Sequence, residues 1–454
     1  LESILLSTLQ RVWASIRGSG PVTNSSSNDP RKYLRNFLLH FRPAEVPERS
    51  IGFALTAYLG VASSVLLVML ILSGLMLKFV YEPSATYAYA SIAYIGSEVP
   101  FGQLLRNLHR WSGYALLVTA FLHMLRVFYT GAFHGPRQFN WIIGLALMAL
   151  VLLSNFTGYL LPWDQISYWA VTISTSLLDY VPGIGTPLKE LILGGPEPGP
   201  ATLLNFYALH TAILPMGLVF LLLFHFWRIR MAHGIVVRRA PGERLPSPLP
   251  MVRTVPHLVT REAAAALLVV AAMLALSMAL NAPLAEQANP GMSPNPTKAP
   301  WFFMGIQEIL MHLHPLFAAL VIPACLLAFL LCLPYLRYDA PATGVWFGSK
   351  RGRLTALSAA IAGSLLTAGG VLLSEGVLSA DTASPPTVLR NGLIPFLAIV
   401  AVVAGFYAVI KKALGASKSE AVQALFTFLT AAFLTLTLIG TWFRGAGMQL
   451  VWPG

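Results

Sequence analysis

About nine apolar runs, each close to twenty residues long, alternate with polar segments along the chain. They fall at 53–79, 108–131, 140–161, 203–229, 262–281, 316–336, 354–374, 392–410 and 422–443. A helix rises about 1.5 Å per residue, so a run of this length crosses a hydrocarbon core about 30 Å thick. The expected fold class is therefore all-α, a polytopic transmembrane helix bundle of about nine spans. Ahead of the first run, 5–16 and 34–41 set arginines against apolar stripes too short to cross, joined by a Gly/Ser/Asn-rich linker at 18–29. Both stretches are expected on the cytoplasmic membrane surface. No cleavage pattern follows a suitable apolar core, so this region does not read as a signal peptide.

Composition agrees with the pattern. A soluble chain of 454 residues suggests about three domains, but 56% hydrophobic and 11% charged residues and a mean hydropathy of +0.68 describe a membrane protein. With the N-terminus cytoplasmic, alternate loops gather most of the 30 Lys and Arg on that side. These lie in the N-terminal arm, around Arg126 and Arg137, between 228 and 261, at 350–353, and at Lys411, Lys412 and Lys418. The opposite loops hold Glu82, Glu98, Asp164, Asp179, Glu190, Glu197, Glu286, Glu308, Glu375 and Asp381. The net charge of +12 is thus a topology signal that needs no nucleic-acid partner. It points to a multi-pass protein of a bacterial inner membrane, surrounded by lipid. The seventh to ninth runs carry no ionisable residue that suggests chemistry and read as scaffold or partner surface.

Histidines bring chemistry into the second and fourth runs. His109 and His123 stand fourteen residues apart, and His210 and His225 fifteen. Each pair therefore lies near one face of its helix, separated by about 21 to 22 Å of rise. A lone histidine at membrane depth reads as a polar group at a helix contact, but ionisable residues there are costly and four in two spaced pairs favour ligands. If the two helices face each other, the imidazoles form two stacked pairs, and each can hold one haem iron from both axial positions. Gly60 and Gly74 in the first run, and Gly144 and Gly158 in the third, repeat the fourteen-residue interval. A missing side chain at each level lets a flat macrocycle approach the backbone. The two cysteines, Cys325 and Cys332, share the sixth run, and no C-x-x-C-H occurs. Covalent c-type haem and iron–sulfur clusters therefore belong elsewhere.

The strings "RNLHRWSGYALLVTAFLHMLRVFYTGAFHGPRQFNW", "TGYLLPWDQISYWAV", "IGTPLKELILGG" and "FYALHTAILPMGLVFLLLFHFWRIR" resemble the cytochrome b subunit of quinol-oxidising cytochrome bc and bf complexes. The resemblance is dense over 53–231 and closer to the bf branch, which shares the longer interval in the fourth helix. Over 262–374 it is weaker and similar to the separate small subunit of that branch; 375–454 has no clear counterpart. It implies a cytoplasmic arm at 1–50 and a di-haem four-helix core at 51–235. A linker at 236–260, quinol-site helices at 261–380 and two extra helices at 381–454 would follow.

The resemblance further implies that His109 and His210 ligate an outer b-type haem, and His123 and His225 an inner one. Arg106, Arg110, Arg126 and Arg230 match positions near haem propionates or the membrane edge, where a guanidinium pairs with a carboxylate; Arg126 and Arg230 equally fit as positive-inside anchors. The bf branch attaches an extra haem through a cysteine two residues before the first glycine, where this chain has Tyr58. No covalent haem is expected here. The family also carries Pro-Glu-Trp-Tyr before the sixth helix, and the aligned residues are Ala299, Pro300, Trp301 and Phe302. Proline cannot accept a proton. Glu308, about two turns beyond Trp301 and on the same face, is expected to take that role, with His312 or His314 as substitutes.

The mechanism so implied is a bifurcated oxidation. Quinol in an outer pocket formed by 159–164 and 301–308, with Tyr159, Trp301, Phe302 and Glu308, gives one electron to a Rieske iron–sulfur protein. The other crosses the two haems to a quinone on the cytoplasmic side, with proton translocation. His233 and nearby basic residues are candidates for that inner site. A c-type cytochrome subunit and a homodimeric complex are the expected partners. A di-haem anchor of a dehydrogenase or hydrogenase also pairs histidines, but such anchors lack the "LPWDQ" loop and the Trp301 segment. A transporter reading finds no inverted repeat to support it.

Overall fold

The computed structural model describes residues 2–17, 43–232, 234–239, 243–339, 343–378 and 388–452. The expectations for 18–29, 34–41, His233 and Asp381 fall outside these residues. Among the described residues, nine helices are long and apolar enough to cross a membrane: Leu59–Lys78, Gly102–Tyr129, Gly135–Leu160, Pro200–Met231, Thr254–Ala279, Leu316–Tyr335, Lys350–Gly376, Val388–Lys412 and Lys418–Trp442. The chain is an all-α multi-pass bundle. Its only strands among these residues, Glu45–Pro47 and Met251–Arg253, form a short antiparallel ladder.

Two boundaries differ from the apolar runs for physical reasons. The first run is broken, because Ala57 and Tyr58 adopt positive φ (45° and 48°) between a single turn, Phe53–Thr56, and the helix from Leu59. The second helix starts at Gly102, several residues before the apolar run, since Gln103, Arg106 and Asn107 are polar yet satisfied. Gln103 donates to Asn107 Oδ1 (2.7 Å), and Asn107 Nδ2 donates to the Ser277 carbonyl (2.8 Å).

Wide π-helical turns open the sixth and eighth spans, at Leu316–Val321 and Val388–Leu393, and interrupt the fourth at Leu209–Ile213. Each is followed within two residues by a proline, Pro215, Pro323 or Pro395. Proline lacks a backbone N–H and its ring crowds the carbonyl four residues back, and the added residue of a wide turn relieves both.

The first four spans form one bundle, with the first against the second, the second against the third and the third against the fourth. The fifth covers the first and second. The central core contains Leu67, Leu116, Val151 and Leu218. Each falls midway between the two histidines or glycines of its own helix. A layer of apolar side chains therefore separates two polar levels.

A second unit joins the seventh, eighth and ninth spans, with the ninth also packed on the short helix Met304–His312. At the other end of the molecule, the amphipathic helix Glu2–Arg17 is capped by Arg228. This buried guanidinium donates to the carbonyls of Ser15 and Ile16, which otherwise lack partners at a helix C-terminus.

The contact between the seventh and ninth spans depends on Gly363, where an added Cβ would stand 2.6 Å from the Phe428 carbonyl, while Gly369 has open space. Gly363→Leu is expected to destabilise the protein by about 1–3 kcal/mol through overpacking. Gly369→Leu should be close to neutral. Thermal unfolding of the two purified variants in one detergent checks the contrast.

Candidate functional site

Histidines two spans apart in sequence meet at two levels. The His109 and His210 ring centres are 6.1 Å apart with planes at 80°. Those of His123 and His225 are 6.5 Å apart at 71°. A metal–imidazole bond is about 2.0–2.1 Å, so one metal between two rings sets their centres about 6 Å apart. The fifteen-residue interval of the fourth span matches the fourteen of the second because His210 sits in the wide turn Leu209–Ile213, which takes up one extra residue without extra rise.

The four glycines lie against the four histidines. Each faces an imidazole edge: an added Cβ would lie 2.9 Å from His109 Cε1 at Gly74, 3.2 Å from His123 Cε1 at Gly60 and 3.9 Å from His225 Cε1 at Gly144, and Gly158 is the tightest, against His210. They seat the rings directly, and a macrocycle would benefit through the rings.

The Nδ1 atoms set the orientation of one level. His109 Nδ1 lies 3.0 Å from Ser73 Oγ, which itself donates to the Met69 carbonyl. His210 Nδ1 lies 2.9 Å from the Ser154 carbonyl. With Nδ1 so engaged, Nε2 is the nitrogen left for a metal. At the other level, Nδ1 of His123 has no hydrogen-bond partner among the described residues, and His225 faces the Asn140 backbone. These donors, spacings and glycine seats fit a pair of bis-histidine haems.

The four arginines divide. Arg106 donates to the carbonyls of Ala282 (2.8 Å) and Pro283 (2.6 Å). Arg110 donates to Tyr114 Oη (2.8 Å) and lies over the rings of Tyr114 and Tyr159. Arg126 is buried one turn from His123, and its Nε donates to the Leu55 carbonyl (2.8 Å). Among the described residues no carboxylate pairs with it. Arg230 is half-buried in the last turn of the fourth span.

Arg110 lies between Tyr159 and Tyr114, and Tyr114 meets Trp301 and Phe302. Tyr114 stands edge-on to Trp301 (5.8 Å) and Phe302 (6.3 Å), and Phe303 reaches Phe156 (5.5 Å). The "LPWDQ" loop is tied to the segment 285–292. Asp164 caps the helix Gln165–Ser176 by accepting from Ser167 N (2.9 Å), and its other oxygen accepts from Ala285 N (3.1 Å). Gln165 accepts from Asn289 N (2.6 Å) and donates to the Met292 carbonyl.

Glu308 does not join this cluster. Trp301 stands in the turn Trp301–Phe303 and faces Tyr114, whereas Glu308 lies in the helix Met304–His312 and has other partners. The carboxylate turns toward the ninth span, fully buried. It accepts from Arg444 Nε (3.2 and 3.0 Å to its two oxygens) and Nη2 (2.5 Å), and lies 3.2 Å from His312 Nε2. Burial works to raise its pKa, but the hydrogen bonds from His312 and Arg444 and the Arg444 charge prevail, holding it below the ordinary carboxylate range. His314 meets Tyr180 edge-on instead (5.7 Å). Arg444, passed over in the apolar pattern, is the signal that was missed: a charged residue directly after an apolar span, between Phe443 and Gly445.

The family model described as cytochrome b/b6/petB matches residues 50–233. The cytochrome b6 of Mesostigma viride is 44% identical over 163 residues, covering 36% of this chain and 76% of that protein. A chain of the solved structure titled "Hyperthermophilic respiratory Complex III" shares the fold with a TM-score of 0.64, at 24% identity, over 84% of this chain and 95% of that one. With two facing histidine levels inside the matched region, this chain belongs to the cytochrome b/b6 family.

Proposed function

We propose that this chain is the membrane redox subunit of a quinol-oxidising complex of the bc/bf type. The observation that carries the reading is the pair of facing imidazoles at each of two levels, with ring centres 6.1 and 6.5 Å apart. His109 with His210, and His123 with His225, would hold two b-type haems. Haem, when bound, supplies a one-electron carrier at each level. Ser73 and the Ser154 carbonyl fix the ring orientation of the first pair. Arg126, buried and without a carboxylate partner among the described residues, is suited to a haem propionate beside His123.

Quinol would bind at the His109 end, against Tyr159, Trp301 and Phe302. The aromatic walls exclude water, and Arg110 fixes both tyrosines by a hydrogen bond to Tyr114 and by its place over the two rings. Loss of two electrons obliges quinol to lose its protons to a nearby base. Glu308 was expected to be that base, but a carboxylate held by Arg444 accepts a proton only by giving up its ion pair. A Rieske protein and a c-type cytochrome subunit would take electrons on this side. A second quinone site at the opposite end, with the N-terminus cytoplasmic and the complex a homodimer, completes a proton-translocating cycle.

Gly158 and Gly144 allow a direct test of the ligand set. Gly158→Ala would push on the His210 ring, whereas Gly144→Ala leaves ordinary contact with His225. Reduced-minus-oxidised spectra and haem quantification of the purified complex should show about half of the b-type absorption lost in the first variant and none in the second. Equal haem content in both, or no b-type absorption in the unaltered protein, removes the assignment.

A further inference from the structure

The turn that carries Trp301 is held from outside the family-matched region. Lys298 Nζ donates to the Thr441 carbonyl (3.0 Å) in the ninth span. Gln307 accepts from Ala299 N (2.6 Å) and donates to the Thr297 carbonyl (2.8 Å), so the strand of chain entering the turn is folded back on the helix leaving it. That helix meets the ninth span at close quarters. A Cβ on Gly305 would lie 2.8 Å from Phe433 and Thr437, and one on Gly440 3.0 Å from Met304.

The contact ends in charge. Besides Glu308, Arg444 Nη1 donates to Glu375 (2.7 Å) at the end of the seventh span and to the Met448 carbonyl (2.9 Å). The guanidinium is fully buried, as is Glu308, whereas Glu375 is 35% exposed. His312 reaches Ser374 through Nδ1 (3.0 Å). One arginine thus joins the Trp301 segment, the seventh span and the turn after the ninth. A buried ion pair is weak evidence for stability, but removing one partner leaves an uncompensated charge, and the segment that bears it must move.

We propose that Arg444 is a positioning residue for quinol oxidation. It holds Glu308 as a fixed counter-ion and thereby sets the Trp301–Phe303 turn against Tyr114. The inference rests on the reading of that turn as a wall of the quinol pocket. It gives the last span a role in the site and gives Glu308 a role other than proton acceptance.

The test uses the purified complex, with duroquinol as donor and cytochrome c as acceptor, and compares Arg444→Gln, Glu308→Gln, the double variant and Trp301→Leu. Haem absorption should be unchanged in all four. Each single variant of the pair is expected to raise the KM for duroquinol, about tenfold for Arg444→Gln, with kcat within about threefold. The double variant removes both charges and should return KM to within about threefold of the unaltered protein, a non-additivity that a proton acceptor would not produce.

Unchanged KM in both single variants overturns the proposal, and so does a collapse of kcat in both variants lacking the Glu308 carboxylate. If Arg444→Gln does not assemble, the remaining pair decides. A KM raised by Glu308→Gln and restored in the double variant supports the proposal, and a double variant as impaired as the single overturns it. Trp301→Leu separates this inference from the reading beneath it. Impaired Trp301→Leu with normal Arg444→Gln removes only the positioning role, and normal duroquinol kinetics in Trp301→Leu removes the quinol-pocket reading and the inference with it.

Discussion

An imidazole at membrane depth has no water to satisfy it, and that constraint organises the first four spans. Each ring must be seated by a neighbour small enough to admit it, and at one level Nδ1 also finds a partner. Gly74 and Gly158 admit His109 and His210, and Ser73 and the Ser154 carbonyl take their Nδ1 atoms. Spans one and three are therefore as much a part of each level as the histidine-bearing spans. The wide turn at Leu209–Ile213 belongs to the same solution, since without it an interval of fifteen residues would carry His210 out of register with His109.

The second unit answers to a different constraint. The ninth span lies flush on Met304–His312 because Gly305 and Gly440 remove side chains where the helices touch. Close packing at that depth encloses Glu308, and an enclosed carboxylate requires a cation. Arg444 meets the requirement, and by also engaging Glu375 and the Met448 carbonyl it uses most of the hydrogen-bonding capacity of a guanidinium. The buried acid and the last helix are thus parts of one arrangement.

Features that depend on periodicity could be read from the chain. The nine spans follow from the length of apolar runs, and the two histidine levels from spacing along a regular helix. Features that depend on irregular backbone could not. The break at Ala57 and Tyr58 and the wide turn around His210 interrupt helices whose composition is uniformly apolar, although Pro215 hints at the second. Spacing along one helix does not reveal that Trp301 meets Tyr114 while Glu308 meets Arg444. Pairs far apart in sequence are also hidden: Glu308 reads as a proton acceptor on the outer side, and only the fold brings Arg444 to it, 136 residues later. Arg228 likewise read as one of many basic residues near a membrane edge, and only the fold shows it capping the N-terminal helix.

The apolar layer of Leu67, Leu116, Val151 and Leu218 has an electrical consequence. It is a thin dielectric between two polar plates, and the levels on either side are separated by about two thirds of the hydrocarbon thickness. A transmembrane potential weights each elementary charge by about 2.3 kcal/mol per 100 mV over the full span. An elementary charge displaced across that layer, from one histidine level to the other, would do work of about 1.5 kcal/mol per 100 mV.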